Sequence, residues 1–147
     1  MYLALKDFQE LFQETRGAKD NFLVYSISDQ SRHLQSKGVF VPIDEESGEL
    51  AEAIANGAIA AIWDRGKEIP LYTPSQFPLF LTSDLAESVQ CLLQFYIEKL
   101  DGETDKKMEI TKFDFLNKKL LNKNNETYDI AGMLHKLLAI NHTERRG

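Results

Sequence analysis

Apolar residues recur along the first third of the chain with two different periods. In residues 1–16 they fall at helical spacing, which predicts an amphipathic helix that covers one side of a sheet. Residues 22–27 and 38–43 are short runs rich in β-branched and aromatic side chains, which predict two strands. A polar loop, residues 28–37, separates them. We expect the chain to be organised around this unit of strand, loop and strand.

A short helix and a buried strand are predicted next. Small and apolar side chains share one helical face in residues 47–57, where Ser47 is a candidate N-cap and Gly57 a candidate for the left-handed residue that ends the helix. Residues 58–63 are a continuous apolar run, typical of a strand covered on both faces. A helix between two strands predicts a parallel pair joined by a right-handed crossover.

The second half of the chain contains the clearest helix. Residues 69–73 and 78–82 predict two further short strands, and residues 85–100 then carry apolar side chains at steps of three and four. Asp84 and Glu87 form a pair that resembles a capping box at its start. We expect this helix to lie flat on the sheet and to contribute the largest share of the core.

The last third of the chain has weaker patterns. After a polar hinge, residues 108–113 predict a strand, residues 113–121 a short helix and residues 130–140 a final helix, and residues 141–147 are expected to be a frayed tail. If the chain binds a protein partner or a second copy of itself, we expect the helices within residues 113–140 to make the contact.

The predicted fold class is α/β. We expect a three-layer α/β/α arrangement with a mixed sheet of about four to five strands and a C-terminal helical appendage. Residues 1–100 would form the main domain, and residues 101–147 a hinge and an extension that packs on or beside it. A chain of 147 residues with 43% hydrophobic residues can bury one core of ordinary size.

Composition narrows the possible partners and locations. No apolar run approaches the roughly 20 residues that span a bilayer, and the N-terminus lacks the features of a signal peptide, so no membrane contact and a cytoplasmic location are expected. Residues 1–100 hold 15 acidic and 8 basic side chains, a balance of −7, whereas residues 101–147 have a balance of +1. An acidic body disfavours nucleic acid as a partner.

The number and spacing of the cysteine and histidine residues predict neither a disulfide nor a metal site. Cys91 is the single cysteine, which excludes an internal disulfide, and its position in an apolar helix predicts an inert, packed or half-packed thiol. The three histidines have no common spacing for zinc. We therefore expect no metal, no cofactor and no catalytic residue in this chain.

Three short motifs follow one another in the first hundred residues: QSR at residues 30–32, GVFVP at residues 38–42 and AIANGAIA at residues 53–60. They resemble the D-S/T-R element, the L-F-V-A strand and the A-I-x-x-G-A-x-A step in the N-terminal domain of the muramyl-peptide (Mur) ligases of peptidoglycan synthesis. The spacing from Arg32 to Phe40 is similar to that in the family.

The resemblance implies a pocket for the uridine end of a UDP-linked cell-wall precursor. The residues carried over to this pocket are Ser28, Asp29, Ser31, Arg32 and Phe40. Ser31 would offer its hydroxyl to the uracil or ribose, and the neighbouring side chains would hold the loop or reach the nucleotide. A few polar groups that converge in an otherwise apolar cleft are enough to orient a small ligand.

Three departures from the family lead to an alternative. Gln30 stands where the family has Asp, and Lys37 where it commonly has Gly. The family continues into an ATP-binding domain with a phosphate loop, whereas residues 108–113 have neither its glycines nor its Lys-Ser/Thr pair, so the chain is expected not to be an enzyme. The connection at residues 44–48 carries three carboxylates that would repel a pyrophosphate. The alternative is a protein-interaction or regulatory module that kept the fold without its ligand and docks a partner or itself through the C-terminal helices.

Overall fold

A mixed sheet lies at the centre of the fold. The computed structural model describes residues 1–101, 109–121 and 130–137. In chain order their elements are β1 (Leu3–Ala4), α1 (Leu5–Leu11), β2 (Glu14–Arg16), β3 (Leu23–Val24), β4 (Ser26–Ser28), β5 (Gly38–Phe40), a 3₁₀ turn (Glu45–Ser47), α2 (Leu50–Ala55), β6 (Ala58–Asp64), β7 (Leu79–Thr82), α3 (Leu85–Asp101), β8 (Lys112–Asp114), α4 (Lys118–Leu121) and α5 (residues 130–137). These elements confirm the α/β class.

The strand order of the main sheet is β2-β7-β6-β5-β4-β8, and β1 pairs with β3 in a separate two-stranded ribbon. Strands β7, β6, β5, β4 and β8 run parallel, and β2 is antiparallel to β7 at one edge. The mixed sheet is therefore confirmed, with six strands among the described residues where four to five were expected. The predicted parallel pair around α2 is β5 and β6.

Helices cover the two faces of the sheet unequally. On one face α1, α3 and the described C-terminal residues enclose the larger core, to which Phe8, Tyr96, Leu120 and Ile130 contribute. On the other face α2 covers a smaller cluster around Phe40, together with loop residues. This arrangement confirms the three layers, and it shows that described residues beyond 101 pack into the main core.

The order of the strands reverses between β4 and β8. The loop after β4 contacts α2. The chain then moves outward through β5, β6 and β7, and it returns through α3 to place β8 on the free side of β4. After β8 it continues into the larger core on the opposite face. In open α/β sheets, ligands bind where strand order reverses, outside the carboxyl ends of the strands.

Three strand predictions differ from the structure. In the described part of residues 108–113, strand β8 begins only at Lys112. Residues 22–27 divide at Tyr25 into β3 of the ribbon and β4 of the main sheet, because the chain changes sheets there. Residues 69–73 form no strand. Pro70 and Pro74 each begin a tight turn, with amide-to-carbonyl distances of 3.0 Å from Thr73 to Pro70 and from Phe77 to Pro74. Proline has no amide to donate to a ladder, which explains the turns.

The first helix is shorter than predicted. It ends at Leu11, and Glu14–Arg16 forms edge strand β2 instead, paired with Leu79–Leu81 of β7. The helix pattern gave no sign of this pairing, because a strand of exposed polar residues is determined by its neighbour rather than by its own periodicity. The last predicted helix is confirmed over residues 130–137. Its end, the hinge and the tail lie outside the described residues.

Of the two residues predicted to end α2, Gly57 is confirmed and Ser47 is not. Glu49, not Ser47, is the N-cap residue, and the Ser47 hydroxyl instead accepts a hydrogen bond from the amide of Ile43 at 3.1 Å. Gly57 has a φ of 112°, as expected for the residue that ends the helix. For α3, the carboxylate of Asp84 accepts the amide of Glu87 at 3.1 Å, which confirms the predicted cap.

Two further observations concern the surface. Cys91 is exposed on α3, so the prediction of a packed or half-packed thiol was wrong: the helix is amphipathic, and Cys91 lies on its exposed face. Within residues 1–101, 109–121 and 130–137, no helix combines the length and the apolar character needed to cross a bilayer.

Candidate functional site

The predicted ligand loop is the crossover that joins parallel strands β4 and β5. Ser28, at the carboxyl end of β4, uses its hydroxyl to accept the amide of Gln30 at 3.0 Å and to donate to the carbonyl of Gln30 at 3.2 Å. A serine that bonds to backbone two residues ahead forms a local turn. The Ser28 hydroxyl, which is buried, therefore shapes the start of the loop.

Asp29 is fully buried and accepts hydrogen bonds from a distant part of the chain. Its carboxylate lies 3.0 Å from the amide nitrogen of Leu116 and 2.7 Å from that of Asn117, and it also accepts from the Gln30 side chain at 3.2 Å. A buried carboxylate is stable only when several donors compensate for its lost hydration. Asp29 thus holds the start of α4 against the end of β4.

Ser31 connects the loop to α2. Its hydroxyl donates to the carboxylate of Glu52, its amide donates to the carbonyl of Ser47 at 2.8 Å, and its carbonyl accepts from the side chain of Asn56 at 2.8 Å. Gly48 approaches so closely that a Cβ at its position would lie 1.8 Å from the Ser31 hydroxyl oxygen. The polar groups of Ser31 are therefore engaged within the protein.

The structure places the two remaining predicted residues, Phe40 and Arg32, in different surroundings. Phe40 is fully buried in the smaller core, where Leu50 and Ala53 of α2 belong to the same cluster. Arg32 is exposed. The loop therefore brings Ser28, Asp29 and Ser31 together as internal contacts, and Arg32 is the one member of the predicted set with an exposed side chain.

Several residues that organise this region were not predicted. Gln35, buried in the loop, donates from its side chain to the carbonyls of Gln30 at 3.0 Å and His33 at 3.1 Å. His33 Nδ1 lies 2.7 Å from Asp114 Oδ2. Asn117 donates to Asp44 at 2.9 Å. Asn117 precedes α4, where asparagine is a common capping residue, and this is the one signal in the sequence that could have drawn attention to it.

These contacts close the place where the strand order reverses. Residues 115–117 follow β8 directly, and Asp29 and Asp44 hold Asn117 against the carboxyl ends of β4 and β5. The buried Phe115 lies in the main core. The crevice that an open α/β sheet normally offers between such strands is here occupied by the protein's own chain.

A shallow cleft of about 300 Å³ lies beside this region, at the carboxyl ends of β5 and β6. Its lining contains four carboxylates and one ammonium group; the residues are Pro42, Asp44, Glu45, Gly48, Glu49, Trp63, Asp64 and Lys67. Such a lining disfavours phosphate by like-charge repulsion. In the part of the chain that the structure describes, no three His, Cys, Asp or Glu side chains are grouped so as to hold a metal ion.

No protein-family model matches the chain, and a comparison with curated proteins found no match. The resemblance to the Mur ligase N-terminal domain stays a prediction, and so do the absence of catalysis and the cytoplasmic location.

Proposed function

We propose that this protein is a non-catalytic α/β module that acts through contacts with protein rather than by binding a uridine nucleotide. One observation carries the proposal: three of the four polar residues expected to grip the nucleotide, Ser28, Asp29 and Ser31, use their side chains in hydrogen bonds within the chain. Ser28 and Asp29 are at most 1% exposed and Ser31 is 2% exposed. A ligand would have to replace each internal bond with one of equal quality, which leaves little net affinity.

The charge of the nearby cleft supports the same conclusion. A UDP-linked precursor carries a pyrophosphate, and Asp44, Glu45, Glu49 and Asp64 surround the cleft against the single cation Lys67. Sites for phosphate normally provide backbone amides, arginine or lysine. The lining of this cleft offers the opposite electrostatic environment.

The experiment is a titration of the whole chain with UMP and with UDP-N-acetylmuramic acid, followed by backbone amide chemical shifts. We expect no saturable shift at residues 28–32 or around the cleft at millimolar ligand, because the side chains of Ser28, Asp29 and Ser31 are already bonded within the protein. Saturable shifts that cluster at residues 28–32 would overturn the proposal in favour of nucleotide binding.

A matched control separates a specific pocket from weak attraction of anions. Inorganic phosphate is titrated in parallel, and the exposed Arg32 is replaced in the variant Arg32→Ala. If UMP and phosphate cause the same small shifts near residue 32 and both vanish in the variant, the arginine attracts anions without a pocket and the proposal stands. Shifts caused by UMP alone and lost in Arg32→Ala would contradict it.

A further inference from the structure

Three exposed apolar side chains lie close together in the sequence at the two-stranded ribbon. Phe22 is 52% exposed, Leu23 47% and Tyr25 37%, and all three fall within four consecutive residues. We call these residues, together with the partly buried Tyr2, the ribbon patch. A contiguous apolar patch of this kind is a common sign of a protein interface, whereas single exposed apolar residues are ordinary.

The two-stranded ribbon explains why Leu23 and Tyr25 share one face. In β3, Val24 is fully buried, so its neighbours Leu23 and Tyr25 lie on the opposite, outer side of the strand. The register pairs Leu3 with Val24, which places Tyr2 opposite Tyr25. The centroids of their rings are 4.7 Å apart. The patch is therefore supported by regular backbone pairing.

The patch has a positive end and a negative end. The ammonium group of Lys37 lies over the ring of Tyr25, 5.0 Å from its centroid. The hydroxyl of Tyr2 donates to the carboxylate of Glu109. The contacts thus run from a cation through two aromatic rings to a carboxylate, and both charged residues are exposed.

We propose that the ribbon patch is the interface of a symmetric homodimer, and that its occupant is the same patch of a second copy. In a two-fold interface each surface meets itself, so Lys37 of one copy would face Glu109 of the other, twice. An apolar centre with opposite charges at its rim is the usual composition of such interfaces. This inference rests on the proposed function and names the partner.

The first experiment is sedimentation equilibrium of the whole chain over a range of concentrations up to about 1 mM. We expect a monomer–dimer equilibrium. The variant Leu23→Ser should raise the dissociation constant at least about tenfold, because it removes an exposed apolar side chain of the patch. Leu71→Ser is the matched control, since Leu71 is also exposed but lies in the loop between β6 and β7, and it should leave the constant unchanged.

Charge reversal tests the symmetry. Lys37→Glu and Glu109→Lys should each weaken the dimer, since each places like charges opposite one another at both ends of the interface. The double variant restores opposite charges and should recover most of the affinity. A dimer that responds to none of these variants uses another surface, and the inference is wrong.

A chain that stays monomeric up to about 1 mM would also overturn the inference. That outcome leaves the proposed function intact, because the nucleotide titration is independent of assembly. Saturable nucleotide binding at residues 28–32 would instead overturn the proposed function, whatever the oligomeric state.

Discussion

The carboxylate of Asp29 accepts a hydrogen bond from the backbone amide of Asn117 at 2.7 Å, across 88 positions of sequence. This contact joins the end of the strand at the reversal of the sheet to the segment that follows the last strand. It also engages the carboxylate of Asp29, so a ligand of the loop after β4 would have to compete with two backbone amides for that side chain.

Replacing Asp29 by asparagine should lower the free energy of unfolding by about 2–4 kcal/mol, because the amide is uncharged and carries its own donors toward two backbone N–H groups. Urea unfolding followed by circular dichroism measures this change. Asp20→Asn, at an exposed position, is the control and should change the stability by less than about 0.5 kcal/mol. Equal effects of the two variants would show that the Asp29 contacts contribute nothing.

The close approach of Gly48 to Ser31 leads to a second prediction. Gly48 has a φ of 92°, which side chains rarely adopt, and an added Cβ would overlap the Ser31 hydroxyl oxygen at 1.8 Å. Gly48→Ala should therefore destabilise the protein by at least about 2 kcal/mol. In the control Gly66→Ala, the Cβ would meet its nearest neighbour, the Asp64 carboxylate, at 3.4 Å. Similar melting temperatures for the two variants would show that Gly48 and Ser31 do not lie in such close contact.

The sequence predicted those parts of the fold in which the residues themselves carry the pattern. The apolar face of α3 and the continuous run of β6 are strong local signals, and both elements are confirmed close to their expected bounds. By contrast, β2 consists of Glu14, Thr15 and Arg16, and it is a strand because β7 provides a partner edge. Long-range pairing of this kind leaves no periodic pattern in the sequence of the edge strand.

In the predicted site, too, the local residues could be recognised from the sequence, whereas their distant partners could not. Ser28, Asp29 and Ser31 were recognised as a polar group at the end of a strand, and the structure places them together. Their partners could not be predicted, because the pairing of β8 with β4 is what brings Asn117 next to Asp29, 88 positions away in the sequence. A polar loop residue looks the same in sequence whether its partner is a ligand or a backbone amide from elsewhere in the chain.

Ser31 and Arg32 offer a direct test of that distinction. Ser31→Ala should reduce the free energy of unfolding by about 1 kcal/mol, since it removes the hydrogen bond to Glu52. Arg32→Ala, at the adjacent exposed position, should change it by less than about 0.5 kcal/mol. Urea unfolding of both variants provides the comparison. If Ser31→Ala is neutral as well, the hydroxyl is not a structural group and its assignment to the interior of the protein is wrong.

Tyr2 leads to a prediction about alkaline pH. The hydrogen bond to the carboxylate of Glu109 is the main cause that raises the pKa of the Tyr2 phenol from 10.0 to about 12, with smaller contributions from desolvation and from the negative charge of Glu109. The folded protein thus keeps a proton that the unfolded chain has already lost above pH 10. This contribution to stability is complete below pH 10 and is lost as the pH rises toward about 12.

The variant Glu109→Gln should therefore lower the pKa of Tyr2 toward 10.0, because the neutral amide accepts a weaker hydrogen bond and no longer repels the phenolate. The ultraviolet absorbance of tyrosinate measures it, as the difference between each protein and the same protein carrying Tyr2→Phe. Glu68→Gln removes an equal charge at another exposed position and should leave the titration unchanged. If Tyr2 titrates at the same pH with and without the Glu109 carboxylate, the two side chains are not paired in solution. In that case the negative end of the ribbon patch would have to be assigned to another residue.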